Sequence, residues 1–160
     1  MSGTEWRFGQ EPESEPFHYT GCGLGDVYLR SGFDRVTTDY GAGVVIKNLD
    51  GLHCAIARHL AYHKKALNGK EFRFLRKQMK LSQEELSDLL SVSDQSIARW
   101  EKGETDIPGP AELAIRAIFA GHDIGAINVV ELSKSINAIA DETRPRQVFE
   151  ETDEGWKAAA

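Results

Sequence analysis

The stretch SVSDQSIARWEKGE, residues 91–104, mixes side chains that seek water with side chains that avoid it. Set on a helix, Ile97 and Trp100 share one face while Asp94, Gln95 and Arg99 look away from it. The three outward groups have distinct hydrogen-bonding chemistry. A Gln amide can pair with N6 and N7 of adenine and an Arg guanidinium with O6 and N7 of guanine, while an Asp carboxylate can only accept, as from N4 of cytosine. A second set could hold a metal. His18, Cys22, His53, Cys54, His59 and His63 are imidazoles and thiols, the ligand types of tetrahedral zinc. An HxxxC at 18–22, Cys54 and a His pair spaced i, i+4 would supply enough ligands. There is no close cysteine pair, however, and His59 and His63 equally suit the stripe of an amphipathic helix. No phosphate-cradling glycine loop, metallo-hydrolase motif or nucleophile elbow is present, so no enzymatic activity is expected.

These groups need elements to position them. Residues 1–16 are polar and aperiodic and predict a disordered acidic N-terminus, in which Trp6 and Phe8 could dock weakly. Over 17–68 the runs DVYLR, FDRVTTDY and GVVIKNL, separated by glycines, predict a small antiparallel β-meander covered by a helix. That helix would start at an Asp50 N-cap and run to about Leu67, with Asn68-Gly69 as its C-terminal stop. A helix-turn-helix bundle is expected over 69–122. It opens with KEFRFLRKQMK, burying Phe72, Leu75 and Met79. Ser82 and Glu85 then form a capping box ahead of Leu86, Leu89 and Leu90. Ser93 caps the next helix and Gly103 closes it. Pro108-Gly109-Pro110 begins another, with Leu113, Ile115, Ile118 and Phe119 apolar. A C-terminal helix over 123–140 and a disordered tail over 141–160 complete an α+β chain. Two short helices joined by a tight turn can anchor one helix from behind while its front is presented to base edges.

The chain has 160 residues, 41% of them hydrophobic, and a net charge of −6. The surplus of acid lies at the two ends: Glu5, Glu11, Glu13 and Glu15 in front, and Asp141, Glu142, Glu150, Glu151, Asp153 and Glu154 behind. From Arg58 to Lys80, by contrast, eight basic residues face the single acid Glu71. An acidic total therefore coexists with a basic segment that could meet phosphates. Two cysteines are too few for a disulfide scaffold, and neither a leader-like stretch nor a membrane span is apparent. The expectation is a soluble, cytoplasmic protein.

Residues 70–120 resemble the Cro and phage-repressor type of helix-turn-helix, the xenobiotic-response-element family. The string LRKQMKLSQEELSDLLSVSDQSIARWEKGETDIPGP carries the resemblance, with LSQEEL, SVS, QSIARWEKGE and the following proline at the family's spacing. The resemblance implies double-stranded DNA as partner and assigns roles. Gln83 would hold a phosphate at a helix N-terminus. Ser93, Asp94, Gln95, Ser96 and Arg99 would form the base-reading front of the recognition helix. Lys77, Lys80 and Lys102 would contact phosphates. Arg76 and Glu101 would form a partly buried ion pair that orients this helix, with Ile97 and Trp100 as its anchors. The chain departs from the pattern in three respects. Ser91 replaces the turn glycine, and Ser87 replaces a small alanine. Glu104 and Asp106 put acids where relatives often carry bases, which shifts backbone contacts toward the basic helix at 70–80. The segments HYTGCGLGDVYLRSGF and NLDGLHCAIARHL are similar to the zinc-ribbon-like N-terminal module of MqsA-type antitoxins. That module has two CxxC pairs, of which Cys22 and Cys54 keep one cysteine each.

The implied function is a sequence-specific transcriptional regulator, a repressor or autoregulator that binds a palindromic operator as a homodimer. It could be the antitoxin of a toxin–antitoxin pair. The alternative is a protein-binding antitoxin or adaptor in which DNA binding is secondary or lost. Because the ribbon pattern lacks half its cysteines, no zinc cofactor is expected even with Cys22, Cys54, His18 and His59 as candidates. Purified protein should hold substoichiometric zinc and stay folded in chelator. Near one zinc per chain by elemental analysis, with unfolding on chelation, would overturn this.

Overall fold

A computed structural model describes residues 16–125, 128–138 and 149–158. The expected disorder over 1–15, with Trp6 and Phe8, lies outside them. The chain divides into two units, the second beginning at Asn128.

The first unit opens with two hairpins. β1 (Phe17–His18) pairs antiparallel with β2 (Tyr28–Leu29), and β3 (Phe33–Thr38) pairs antiparallel with β4 (Gly41–Ile46). The expected meander is thus two separate two-stranded ladders. The bond from Lys47 N–H to the carbonyl of Gly32 closes the second ladder on itself, while Tyr19 N–H reaches the carbonyl of Val27, both at 2.8 Å. β2 therefore pairs backward rather than forward. The β3–β4 turn is built by Thr38, whose hydroxyl donates to the carbonyl of Gly41 at 3.1 Å and accepts from Tyr40 N–H at 3.3 Å. Gly41 supplies the positive φ that the turn needs.

Helix α1 (Leu49–Tyr62) covers the first hairpin, where Tyr19, Leu24 and Leu29 are buried. Its N-cap is Asn48 rather than Asp50: Asn48 turns left-handed and its side chain accepts from Gly51 N–H. Asp50 lies in the first turn, where the helix dipole favours an acid. The helix stops at Tyr62, short of Leu67, and Asn68 opens the next helix instead of ending this one. Its side chain accepts from Glu71 N–H, and the Glu71 carboxylate accepts from Asn68 N–H, both at 2.9 Å. This capping box satisfies two otherwise orphaned donors, a stronger local bargain than a left-handed stop. Glu71 is buried and also holds Lys64, whose ammonium is raised above its usual range by that hydrogen bond.

Four helices follow: α2 (Gly69–Gln78), α3 (Gln83–Leu90), α4 (Asp94–Lys102) and α5 (Gly109–Asp123). Phe72, Leu75, Leu86, Ile97 and Ile115 are fully buried between them. Trp100 meets the Phe72 ring edge-on at 5.9 Å. On α5, Ile115 and Phe119 face inward but Leu113 does not, being 70% exposed. Arg116 ties α5 to the end of α1 by donating to the carbonyls of Leu60 and Ala61 at 2.8 and 3.1 Å. Asp123 does the same further along, accepting from Arg58 and Tyr62.

Helices α2, α3 and α4 share one ending. Lys80, Ser91 and Gly103 each turn left-handed, at φ 58°, 54° and 74°. The following N–H then reaches back five residues, to the carbonyls of Arg76, Ser87 and Arg99. Only one of the three positions has the residue that adopts this conformation without strain.

In the second unit, α6 (Val129–Asn137) is capped by Asn128, which accepts from Glu131 N–H at 3.2 Å. The expected disordered tail contains a hairpin, β5 (Phe149–Thr152) with β6 (Gly155–Ala158). Thr152 repeats the Thr38 turn: its hydroxyl donates to the carbonyl of Gly155 and accepts from Glu154 N–H, and Gly155 has φ 102°. The turn chemistry of Thr-Asp-Glu-Gly was hidden by the density of acids around it.

The tightest constraint is at Gly69. A Cβ there would lie 2.2 Å from the carbonyl oxygen of Trp100 and 2.7 Å from that of Glu101. Neither is a movable side-chain tip. Gly69→Ala should therefore destabilise the fold by about 2 kcal/mol or more, whereas Ser91→Gly should stabilise it by up to about 1 kcal/mol. Urea midpoints measure both, and a wild-type midpoint for Gly69→Ala would contradict the close crossing.

Candidate nucleic-acid interface

The site is made by α3, the turn at 91–93 and α4. Ser82 starts α3 with a full capping box: its hydroxyl accepts from Glu85 N–H at 3.0 Å and the Glu85 carboxylate accepts from Ser82 N–H at 2.7 Å. The left-handed Ser91 ends the helix and redirects the chain. Ser93 then caps α4, accepting from Ser96 N–H at 3.1 Å, and the Ser93 and Ser96 hydroxyls are hydrogen-bonded at 2.9 Å.

On α4, Ile97 and Trp100 are buried while Asp94, Gln95 and Arg99 are exposed. Gln95 and Arg99 are four residues apart, which stacks them on one face about 6 Å apart along the axis. Both long side chains are free of partners among the described residues. Asp94 is engaged locally, its carboxylate accepting from Gln95 N–H at 2.8 Å. Ser93 and Ser96, assigned to base reading from the resemblance, are paired with each other and fix the start of the helix. Ser96 is only half exposed.

What holds α4 in place is a buried ionic network. Arg76 grips Glu101 with two parallel bonds, Nε to Oε1 at 2.6 Å and Nη2 to Oε2 at 3.0 Å. Its Nη1 donates to the carbonyl of Leu81 at 2.7 Å. Gln83 Nε2 donates to Glu101 Oε2 at 2.9 Å. One guanidinium and one carboxylate thus join α2, the α2–α3 turn, α3 and α4. Both charges are buried, and among the described residues no buried side-chain nitrogen or oxygen lacks a partner. Gln83 commits one amide hydrogen to this network. Its second amide hydrogen and its backbone N–H at the helix N-terminus are the donors left for a phosphate.

Lys77, Lys80 and Lys102 are exposed, and none has an ion-pair partner among the described residues. Lys77 and Lys102 line one groove together with Lys70 and Arg73. Lys80 stands apart, carrying the left-handed turn after α2. The sequence pointed to the basic helix at 70–80 as a whole without assigning Lys70 and Arg73 a role, although their i, i+3, i+7 spacing with Lys77 marks one helical face.

The metal candidates are not assembled. His18 hydrogen-bonds the carbonyl of Gly25 at 2.8 Å and stacks on Tyr28, while His53 pairs with the Tyr19 hydroxyl at 2.9 Å. Cys22 is directed at the carbonyl of Tyr19, and Cys54 is exposed on α1. His59 and His63 lie 6.0 Å apart, centroid to centroid, and are exposed at the C-terminal end of α1. Among the described residues no three His, Cys, Asp or Glu side chains are grouped to hold a metal.

This arrangement, an anchored helix set behind a tight turn, defines a helix-turn-helix unit. Residues 72–115 match a family model described as helix-turn-helix, a span that covers just over a quarter of the chain and runs from α2 into α5. That family is one of DNA-binding regulators rather than of enzymes, and the match supports a DNA-binding regulator in general. The matched span begins after the hairpins and α1, so the zinc-ribbon-like resemblance of the N-terminal module falls outside it. No curated protein and no solved structure matches the chain. Among the described residues no helix is long and apolar enough to cross a membrane.

The network makes a specific prediction. Glu101→Ala strands a buried guanidinium and should lower stability by about 3–5 kcal/mol. The double replacement Arg76→Met with Glu101→Leu should recover most of that loss, because no charge is left unpaired. Denaturation of the single and double variants checks this, and a double variant no more stable than Glu101→Ala would refute it.

Proposed function

We propose that the protein is a sequence-specific transcriptional regulator, a repressor or autoregulator that binds a palindromic operator as a homodimer and needs no structural zinc. The observation that carries this reading is the presentation of α4. Ile97 and Trp100 bury its back, the Arg76–Glu101 network fixes its angle, and Gln95 and Arg99 extend from its front without partners among the described residues. An α-helix so held fits the major groove of B-DNA, where Gln and Arg can distinguish adenine and guanine. Two-fold symmetry of the protein would match two half-sites one helical turn apart.

A second reading, an antitoxin whose N-terminal module captures a partner protein, is favoured by the β3–β4 ribbon. Its ladder has only two strands, so both outer edges are unpaired among the described residues, and Tyr40 and Val45 are exposed on it. The two readings are compatible, since a DNA-bound regulator can also hold a toxin.

The base-reading assignment is tested on a duplex footprinted from the protein's own promoter. Arg99→Ala should weaken operator binding by about 1–3 kcal/mol and relax preference at one position. Lys77→Ala should weaken all sequences alike and lower the salt slope by about one. Intact operator affinity in Arg99→Ala, or a fall that is the same on operator and non-specific DNA, would show the assignment to be wrong.

A further inference from the structure

The glycine-rich loop between β1 and β2 does not close onto the helices beneath it. An open groove of about 1020 Å³ runs between this loop and α2, reaching the end of α4. Lys70, Arg73 and Lys77 line it from α2 and Lys102 lines it from α4. All four are exposed, and none forms an ion pair among the described residues. Of the two acids at its walls, Glu101 is held by Arg76 and Asp26 shares Lys64 with Glu71, which leaves these four cations against one partly compensated carboxylate. The groove is therefore strongly cationic inside a protein of net charge −6.

We infer that this groove seats the phosphate backbone of DNA flanking the bases that α4 reads. The inference rests on the proposed reading of α4 and adds a second contact surface to it. Lys70 to Lys77 spans seven residues of helix, about 10 Å. At one phosphate per about 3.4 Å of axis on each strand, that row matches a run of about three phosphates. A lone anion would instead need its cations to converge on one point. Gln95 and Lys102 are also seven residues apart, so the groove begins about 10 Å from the reading positions. At one step per about 3.4 Å of axis, that displacement is about three base pairs, which carries the groove toward the flanking duplex.

The facing wall suits a close approach. A Cβ at Gly23 or Gly25 would have nothing within 4 Å, so the backbone there is bare and open. This wall lies outside residues 72–115, so it is supplied by the N-terminal module and not by the helix-turn-helix unit. The acids Glu104 and Asp106, exposed just past α4, repel phosphates there and leave this groove as the favourable one.

The test uses two duplexes that share the operator, one ending at its edges and one extended by about one helical turn on each side. Wild type, Lys70→Ala with Arg73→Ala, and Gly25→Glu are compared by salt titration in the full chain. Gly25→Glu places a carboxylate in the groove from the opposite wall without touching the basic helix. Wild type should bind the longer duplex more tightly, and both variants should lose that gain while matching wild type on the shorter one. The double variant should lower the salt slope on the longer duplex by about two, near 0.9 per phosphate. Equal loss on both duplexes, or no loss on either, overturns the inference. So does calorimetric binding of inorganic pyrophosphate that the double variant abolishes while long-duplex binding persists, since that assigns the groove to a free anion. Failure of the α4 reading is read separately on the short duplex, where wild-type affinity in Arg99→Ala would defeat that reading while the long-duplex gain still tests the groove.

Discussion

The carboxylate of Glu101 is the point on which the helix-turn-helix unit depends. It takes two bonds from Arg76 and one from Gln83, and Arg76 also donates to the carbonyl of Leu81. Together these bonds join α2, the α2–α3 turn, α3 and α4, so the angle among the helices is set by directional contacts as well as by packing. Hydrophobic burial of Phe72, Leu86, Ile97 and Trp100 drives the helices together. Burial alone would tolerate sliding, because apolar contact is not directional. A buried pair contributes little net stability relative to an apolar replacement, but it penalises every arrangement that leaves a charge unpaired. Its role here is to select one geometry.

Two features make that geometry reachable. Gly69 lets the start of α2 press against the last carbonyls of α4, a contact that no side chain would permit. The shared left-handed endings at Lys80, Ser91 and Gly103 keep the connections short. Lys80 and Ser91 adopt this conformation against their own preference, so tertiary packing holds the strain.

Charge is distributed so that an acidic chain can still meet DNA. The acid surplus lies at the ends of the sequence, whereas α2 carries exposed Lys70, Arg73 and Lys77. The acids of the bundle interior are neutralised where they stand, Glu71 by Lys64 and Glu101 by Arg76. Net charge thus describes solubility and long-range repulsion, while the local field at the helices is positive.

The sequence by itself determined the parts governed by a few consecutive residues. The capping box of Ser82 and Glu85, the Ser93 cap, the Gly103 stop and the burial of Ile97 and Trp100 all follow from backbone valence and the 3.6-residue period, and all are found. The α+β class was legible for the same reason. Local signals failed where two local solutions compete: Asn68-Gly69 suits a left-handed stop as well as a cap, and the reciprocal bonds between Asn68 and Glu71 show which one formed. The pairing of strands as separate hairpins, the outward turn of Leu113, the clash that reserves position 69 for glycine and the groove against residues 21–26 were decided by tertiary structure. Each depends on which surfaces meet across tens of residues, and side-chain type alone carries no record of the surface it will face.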